Sequence, residues 1–231
     1  MKTVGIIGGL GPETTSEFYL ELILSSQKLN KVHRPQILIY SVPLPYDTEE
    51  DAIARGMGEK RCLPFLLEAA KKLENAGADF IVMPCNSLHI FIEKIRRSIK
   101  IPMLSIVEET IKFLKKENLS NVGIISTAIT LNNKLYENLL LENNIKQVTP
   151  ENFQQTKINK IIHNLVSQRH LNKDRKELIG IINDFEKKGV GHIILACTDL
   201  QLLIPKQASR LKTYDTMKIF ADATVREILR D

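Results

Sequence analysis

The 231-residue chain contains no tryptophan and only 13 other aromatic residues, 5 Tyr and 8 Phe. A stacking platform for single-stranded nucleic acid is therefore not expected. Three cysteines are too few and odd in number for a disulfide framework. No two of them stand at metal-knuckle spacing, which argues against a cysteine-built zinc site. With 11 Gly and 9 Pro, low-complexity and collagen-like chains are excluded. No run approaches the roughly 20 apolar residues of a membrane span. The glycine-interrupted N-terminus does not read as a signal peptide. A protein of a reducing, cytoplasmic compartment is expected, with no membrane or nucleic-acid partner.

What is present is a 43% hydrophobic chain, enough for a real core, with 32 Lys+Arg against 27 Asp+Glu. The positive excess is spread out. Lys94, Arg96, Arg97, Lys100 and Lys112, Lys115, Lys116 recur at helical spacing, which reads as solvated helix faces.

Short β-branched runs alternate with amphipathic stretches. Strands are expected at 2–7, 36–42, 79–84 and 102–107. One helix is expected at about 14–29, with Phe18, Leu22 and Ser25 on one face. Another runs through Leu63, Leu66, Leu67, Ala70 and Leu73 and stops at Gly77. This alternation predicts an α/β fold with parallel sheets covered by helices. The scheme then restarts. Val122-Gly123-Ile124-Ile125 repeats Val4-Gly5-Ile6-Ile7 at an offset of 118 residues. At an offset of 112, residues 74–86 match 186–198, each reading as helix end, glycine, apolar strand, cysteine and small polar residue. A helix through Leu178, Ile181, Ile182 and Phe185 precedes the second copy. Two similar halves follow, with a switch near 104 and a closing helix at about 217–230. The first domain is then 1–104 plus 213–231 and the second 105–212. Two chain crossings would make a hinged cleft.

Cys85 and Cys197 each stand directly after an apolar strand, where open parallel sheets bind ligands. Their matched context sets them apart from Cys62, which reads as a buried small hydrophobe beside Leu63 and Pro64. Asn86-Ser87 and Thr198-Asp199 follow the paired cysteines. At a helix N-terminus they would cap the helix, bind a carboxylate and lower the thiol pKa. His89, four residues past Cys85, leaves a Cys–His nucleophile as rival chemistry, although a capping or supporting histidine fits that spacing better. His33, His163, His170 and His192 carry no assigned role. The Gly8–Thr14 loop lacks the third glycine of a dinucleotide fingerprint, and the strand ending at Ser41-Val42 lacks the ribose-binding acid. It reads as a tight strand–helix turn, with Pro12 in the first turn of the helix.

Gly8-Gly9-Leu10-Gly11-Pro12, Met83-Pro84-Cys85-Asn86-Ser87-Leu88-His89 and Ala196-Cys197-Thr198-Asp199 together resemble the aspartate/glutamate racemase family, especially its aspartate racemase branch. Tyr214-Asp215-Thr216-Met217 matches the family's closing stretch, so the resemblance spans essentially the whole chain. It implies two pseudo-symmetric, Rossmann-like α/β domains with parallel sheets facing a central cleft, no cofactor, no metal and a homodimer. It implies an amino-acid substrate, with aspartate or glutamate first and a broad range open, and Cys85 and Cys197 as the two acid/base catalysts. Leu10, Asn86, Ser87, Leu88, Thr127 and Thr198 would bind the substrate, with His89 and Asp199 behind them.

Two departures stand out. The loop after the second strand, where the family commonly places a basic residue, is acidic at 46–51, and Arg55 is its first cation. A family lysine falls near Ser167, with Arg169 two residues on. Alternative readings are an isomerase or decarboxylase of a small dicarboxylic acid on the same scaffold, or a non-catalytic amino-acid-binding protein. A nicotinamide dehydrogenase ranks below both.

Overall fold

A computed structural model describes residues 1–48, 51, 56–204 and 209–230. Among these residues seven strands form two all-parallel sheets. In the first, β1 (Val4–Gly8) lies between β2 (Ile37–Ser41) and β3 (Phe80–Val82). In the second, β4 (Asn121–Ser126) lies between β5 (Lys146–Val148) and β6 (His192–Ala196), and β7 (Lys212–Asp215) adds to β6. The orders β2-β1-β3 and β5-β4-β6 correspond, so the sequence echo is a structural repeat. The strand expected over 102–107 is not a full strand. Met103 makes a single parallel bridge to Ile81, and Ser105 already caps a helix by accepting the Glu108 N–H at 3.3 Å. That bridge occupies the place that β7 fills in the second sheet.

Helices complete each half. The first carries α1 (Pro12–Leu29), α2 (Leu63–Asn75), α3 (Ile92–Arg96) and α4 (Ile106–Lys116). The second carries α5 (Ala128–Asn132), α6 (Glu137–Glu142), α7 (Asn152–Val166) and α8 (Asn172–Asp184), and the closing helix α9 (Thr216–Ile228) follows β7 and returns to α1 and α4. Pro12 starts α1, where its missing N–H costs nothing. Phe18, Leu22 and Ser25 are buried on one face of it, as their spacing predicts.

Strands buried on both faces explain the unbroken apolar runs. Val4, Ile6, Phe80, Val82, Val122, Ile124, Ile194 and Ala196 point into one central core shared by the two sheets. Side chains of α1, α4 and α9 fill it, with Phe18 stacked on Phe220 at 5.7 Å. The alternate residues Ile7, Ile81 and Met83 face α2, while Ile125, Ile193 and Leu195 face α7 and α8. On that outer side Gly123 fits without displacing its neighbours: a Cβ there would lie 2.4 Å from Ile193 Cδ1 and 2.6 Å from the Phe185 ring, so those side chains would have to shift. The closing helix α9 packs on α1 and α4, tying the two halves together.

Arg96 departs from the solvated-face reading. Its guanidinium donates to the Met103 carbonyl at 2.9 and 3.1 Å and to both Glu108 oxygens at 2.8 and 3.0 Å. This clamp joins α3 to the start of α4. Among the described residues no helix is long and apolar enough to cross a membrane.

Candidate active site

The cleft is built at the carboxyl ends of the strands. Gly9 ends the β1 turn with φ +80°, and a Cβ there would meet Ser41 Oγ at 2.8 Å and the Val42 nitrogen at 2.9 Å. Only glycine meets both demands. Thr15 then pins the loop, its Oγ accepting from the Gly9 N–H at 2.9 Å and donating to the Gly11 carbonyl at 2.9 Å. The turn brings Leu10 and Gly11 to the wall of a partly open cavity.

Cys85, after β3, and Cys197, after β6, line this one cavity, one from each sheet. Asn86, Ser87, Leu88, Thr127, Thr198 and Asp199 line it too. Each substrate-binding residue expected from the sequence therefore borders the same space. His89 does not line it.

Backbone N–H groups after each cysteine do lower its thiol pKa, those of Leu88 and Ser87 at Cys85 and that of Asp199 at Cys197, but they do not outweigh burial. Each cysteine is followed by a short 3₁₀ turn, Ser87–Phe91 or Leu200–Leu203, and no side chain caps either one. So short a turn carries little dipole. Burial dominates instead, pushing the Cys85 thiol up to about 12 and Cys197 well above its ordinary value. The Asp199 carboxylate raises both further. Burial thus favours the neutral thiol at both sulfurs.

Asp199 links the second thiol to the first half. Cys197 Sγ donates to Asp199 Oδ2 at 3.7 Å, and Thr14 Oγ donates to Oδ1 at 2.6 Å. Burial, with the charges of Glu13 and Glu17 nearby, raises the pKa of Asp199 above the usual carboxylate value. Across the cleft, Ser87 Oγ lies 2.8 Å from Thr127 Oγ, and Thr127 caps α5 by accepting the Thr130 N–H at 3.3 Å. Asn86 is held by two buried bonds: Tyr136 donates its hydroxyl to Oδ1 at 2.5 Å, and Nδ2 donates to Thr216 Oγ at 3.1 Å.

His89 has both ring nitrogens committed to backbone. Nε2 accepts the Ile106 N–H at 3.1 Å, which leaves the proton on Nδ1, 2.7 Å from the Cys85 carbonyl. Burial lowers its pKa to about 4, so the ring is neutral. Neither nitrogen is directed at the thiol. A Cys–His nucleophilic pair is not formed here.

The sequence profile of Asp/Glu/Hydantoin racemases matches residues 7–224. The chain belongs to this racemase family. It is an enzyme of the racemase class. It is 30% identical over 230 residues to the broad specificity amino-acid racemase RacX of Bacillus subtilis (strain 168), covering 98% of each chain. The solved aspartate racemase of Picrophilus torridus superposes with a TM-score of 0.82 at 27% identity, over 99% of this chain and 94% of that one. The glutamate racemase of Francisella tularensis, solved with D-glutamate, shares the fold at a TM-score of 0.67 and 16% identity, over 99% of this chain and 81% of that one.

Within this racemase-family site, sequence reasoning missed several walls. Leu44, Ile129, Ile162 and Val166 also border the cavity. Ile162 and Val166 stand four apart on α7, a spacing indistinguishable from ordinary core. Cys62 is buried as expected, yet it too lines the cavity. Of the cations considered for the substrate side chain, Arg169 is exposed beyond the end of α7 and does not border the cavity. Arg55 lies outside the described residues. In the acidic loop, Arg61 pairs with Asp47 at 2.8 Å and Asp51 at 3.2 Å.

Proposed function

We propose that this enzyme interconverts the L and D forms of a free amino acid, with Cys85 and Cys197 as the two proton-transfer groups. The observation that carries the reading is the convergence of both thiols, each at the end of an equivalent strand, on one cavity. Racemisation needs a base on one face of Cα and an acid on the other. A thiolate takes the α-proton, and the C–H electron pair moves into the α-carboxylate. The second thiol then gives its proton to the opposite face as the new C–H bond forms. The sulfurs finish with exchanged protonation, ready for the reverse direction.

Ser87, Thr127 and Thr198 line the cavity, and in this reading their hydroxyls supply oriented donors for the developing charge. Asp199, bonded to Cys197, is placed to accept its proton and create the first thiolate when a substrate ammonium enters. His89 acts as a positioning residue, fixing the Cys85 carbonyl. The relatives named above point to aspartate and to a broad set of amino acids as candidate substrates. The unit is proposed to be a homodimer of the cytoplasm.

The test is proton NMR in heavy water with separate L- and D-amino acids, including aspartate, glutamate, homoserine, methionine and alanine. Loss of the α-proton signal from both enantiomers, with optical rotation decaying to zero, is expected for at least one of them. Intact α-protons throughout the panel would refute the reading.

A further inference from the structure

Beside the thiols, Gly11 and Asp199, the cavity is lined by the polar Asn86, Ser87, Thr127 and Thr198 and by the apolar Leu10, Leu44, Leu88, Ile129, Ile162 and Val166. Among the described lining residues none is Lys, Arg or His. The one ionisable carboxyl is Asp199, which is already bonded to Thr14 and Cys197. α7, a face from which a side-chain anchor would reach the cavity, presents Ile162 and Val166 instead. Arg61 is turned to Asp47 and Asp51.

Charge then decides between substrates. A zwitterionic amino acid with a neutral side chain adds no net charge beside Asp199. Aspartate or glutamate would add a second carboxylate to a wall whose described residues include no cation, at a desolvation cost. A lysine-like side chain would place an ammonium against the same hydrocarbon surface, with its own desolvation cost.

We propose that the preferred substrates are amino acids with uncharged aliphatic side chains, received by Leu44, Ile129, Ile162 and Val166. This deepens the racemase reading and rests on it for the chemistry, but the ligand class can be tested apart from the chemistry.

Two measurements on the wild-type enzyme separate them. Calorimetric binding of leucine, methionine, aspartate, glutamate and lysine reads the ligand class, and α-proton exchange in heavy water reads the chemistry. Leucine or methionine is expected to bind at least about 10-fold more tightly than aspartate, glutamate or lysine, with kcat/KM for exchange ranked the same way. Tighter binding of a charged amino acid, or no binding of the aliphatic ones, overturns this proposal whether or not exchange occurs. Aliphatic binding without exchange supports the ligand class and refutes the racemase reading. Val166→Arg adds a cation to the described lining and should shift the preference toward aspartate by at least about 10-fold; Leu44→Arg serves if the helix does not tolerate the first. A folded variant with an unchanged preference would remove these side chains from the specificity wall.

Discussion

Acidification offers a sharp physical test of the site's foundations, because His89 is buried neutral with both nitrogens in use. Its Nε2 accepts from Ile106 N–H, a bond that protonation must destroy. The imidazole is expected to ionise near 4 in the folded protein against 6.5 ordinarily. The unfolded chain thus binds a proton between those values that the folded chain refuses. Stability supplied by the neutral ring is fully present above about 6.5 and is lost as pH falls toward 4. The gap corresponds to about 3 kcal/mol. Asp215 works in the opposite direction over nearly the same range, since burial raises it from 3.8 to about 6 and its retained proton favours the folded state on acidification. Wild type alone would therefore show a muted slope. Urea unfolding at pH 7, 6, 5 and 4 should be run beside His89→Gln, which keeps Asp215 and removes only the imidazole. Between pH 7 and 4 wild type should lose about 3 kcal/mol more than the variant. Parallel curves for the two proteins would refute the neutral, doubly bonded histidine.

The two site thiols predict a second linkage at high pH. Both are raised by burial, so the unfolded chain releases their protons first and stability falls as pH rises above about 8.5, by up to ~1.4 kcal/mol per thiol per pH unit. A Cys85→Ser/Cys197→Ser double variant should show a flatter urea midpoint between pH 8 and 10. Gly123→Ala forces a methyl into contact with Phe185 and Ile193 and should cost about 1–3 kcal/mol in urea unfolding; an unchanged midpoint would show that the outer layer yields freely. Tyr136→Phe removes the donor from buried Asn86 Oδ1 and should lower stability by about 1–3 kcal/mol, measured the same way.

The repeat was legible because parallel strands buried on both faces write themselves as apolar runs: Ile81-Val82-Met83 before Cys85, and Ile193-Ile194-Leu195 before Cys197. The position of the two cysteines followed from those runs. Pro102–Val107 misled because its apolar residues suit an edge strand, yet Ser105 caps a helix immediately after the Met103 bridge. The thiol pKa direction was not legible, because local sequence shows a following turn but not the density of distant walls that desolvates the sulfur. Ile162, Val166 and Leu44 look like core or loop until the halves are brought together. The same holds for Tyr136 and Thr216, which reach Asn86 across 50 and 130 residues of chain. Arg96 read as one of a basic run, since its partners Met103 and Glu108 lie on the following segment.

The central claim is that one thiol serves each face of Cα. The most direct test compares wild type with Cys85→Ala and Cys197→Ala, each checked for an unchanged circular dichroism spectrum, in α-proton exchange and optical rotation assays on a substrate that wild type racemises. Each single variant is predicted to lose racemisation, because one face lacks its proton carrier. Full racemisation by either variant would contradict the two-thiol account.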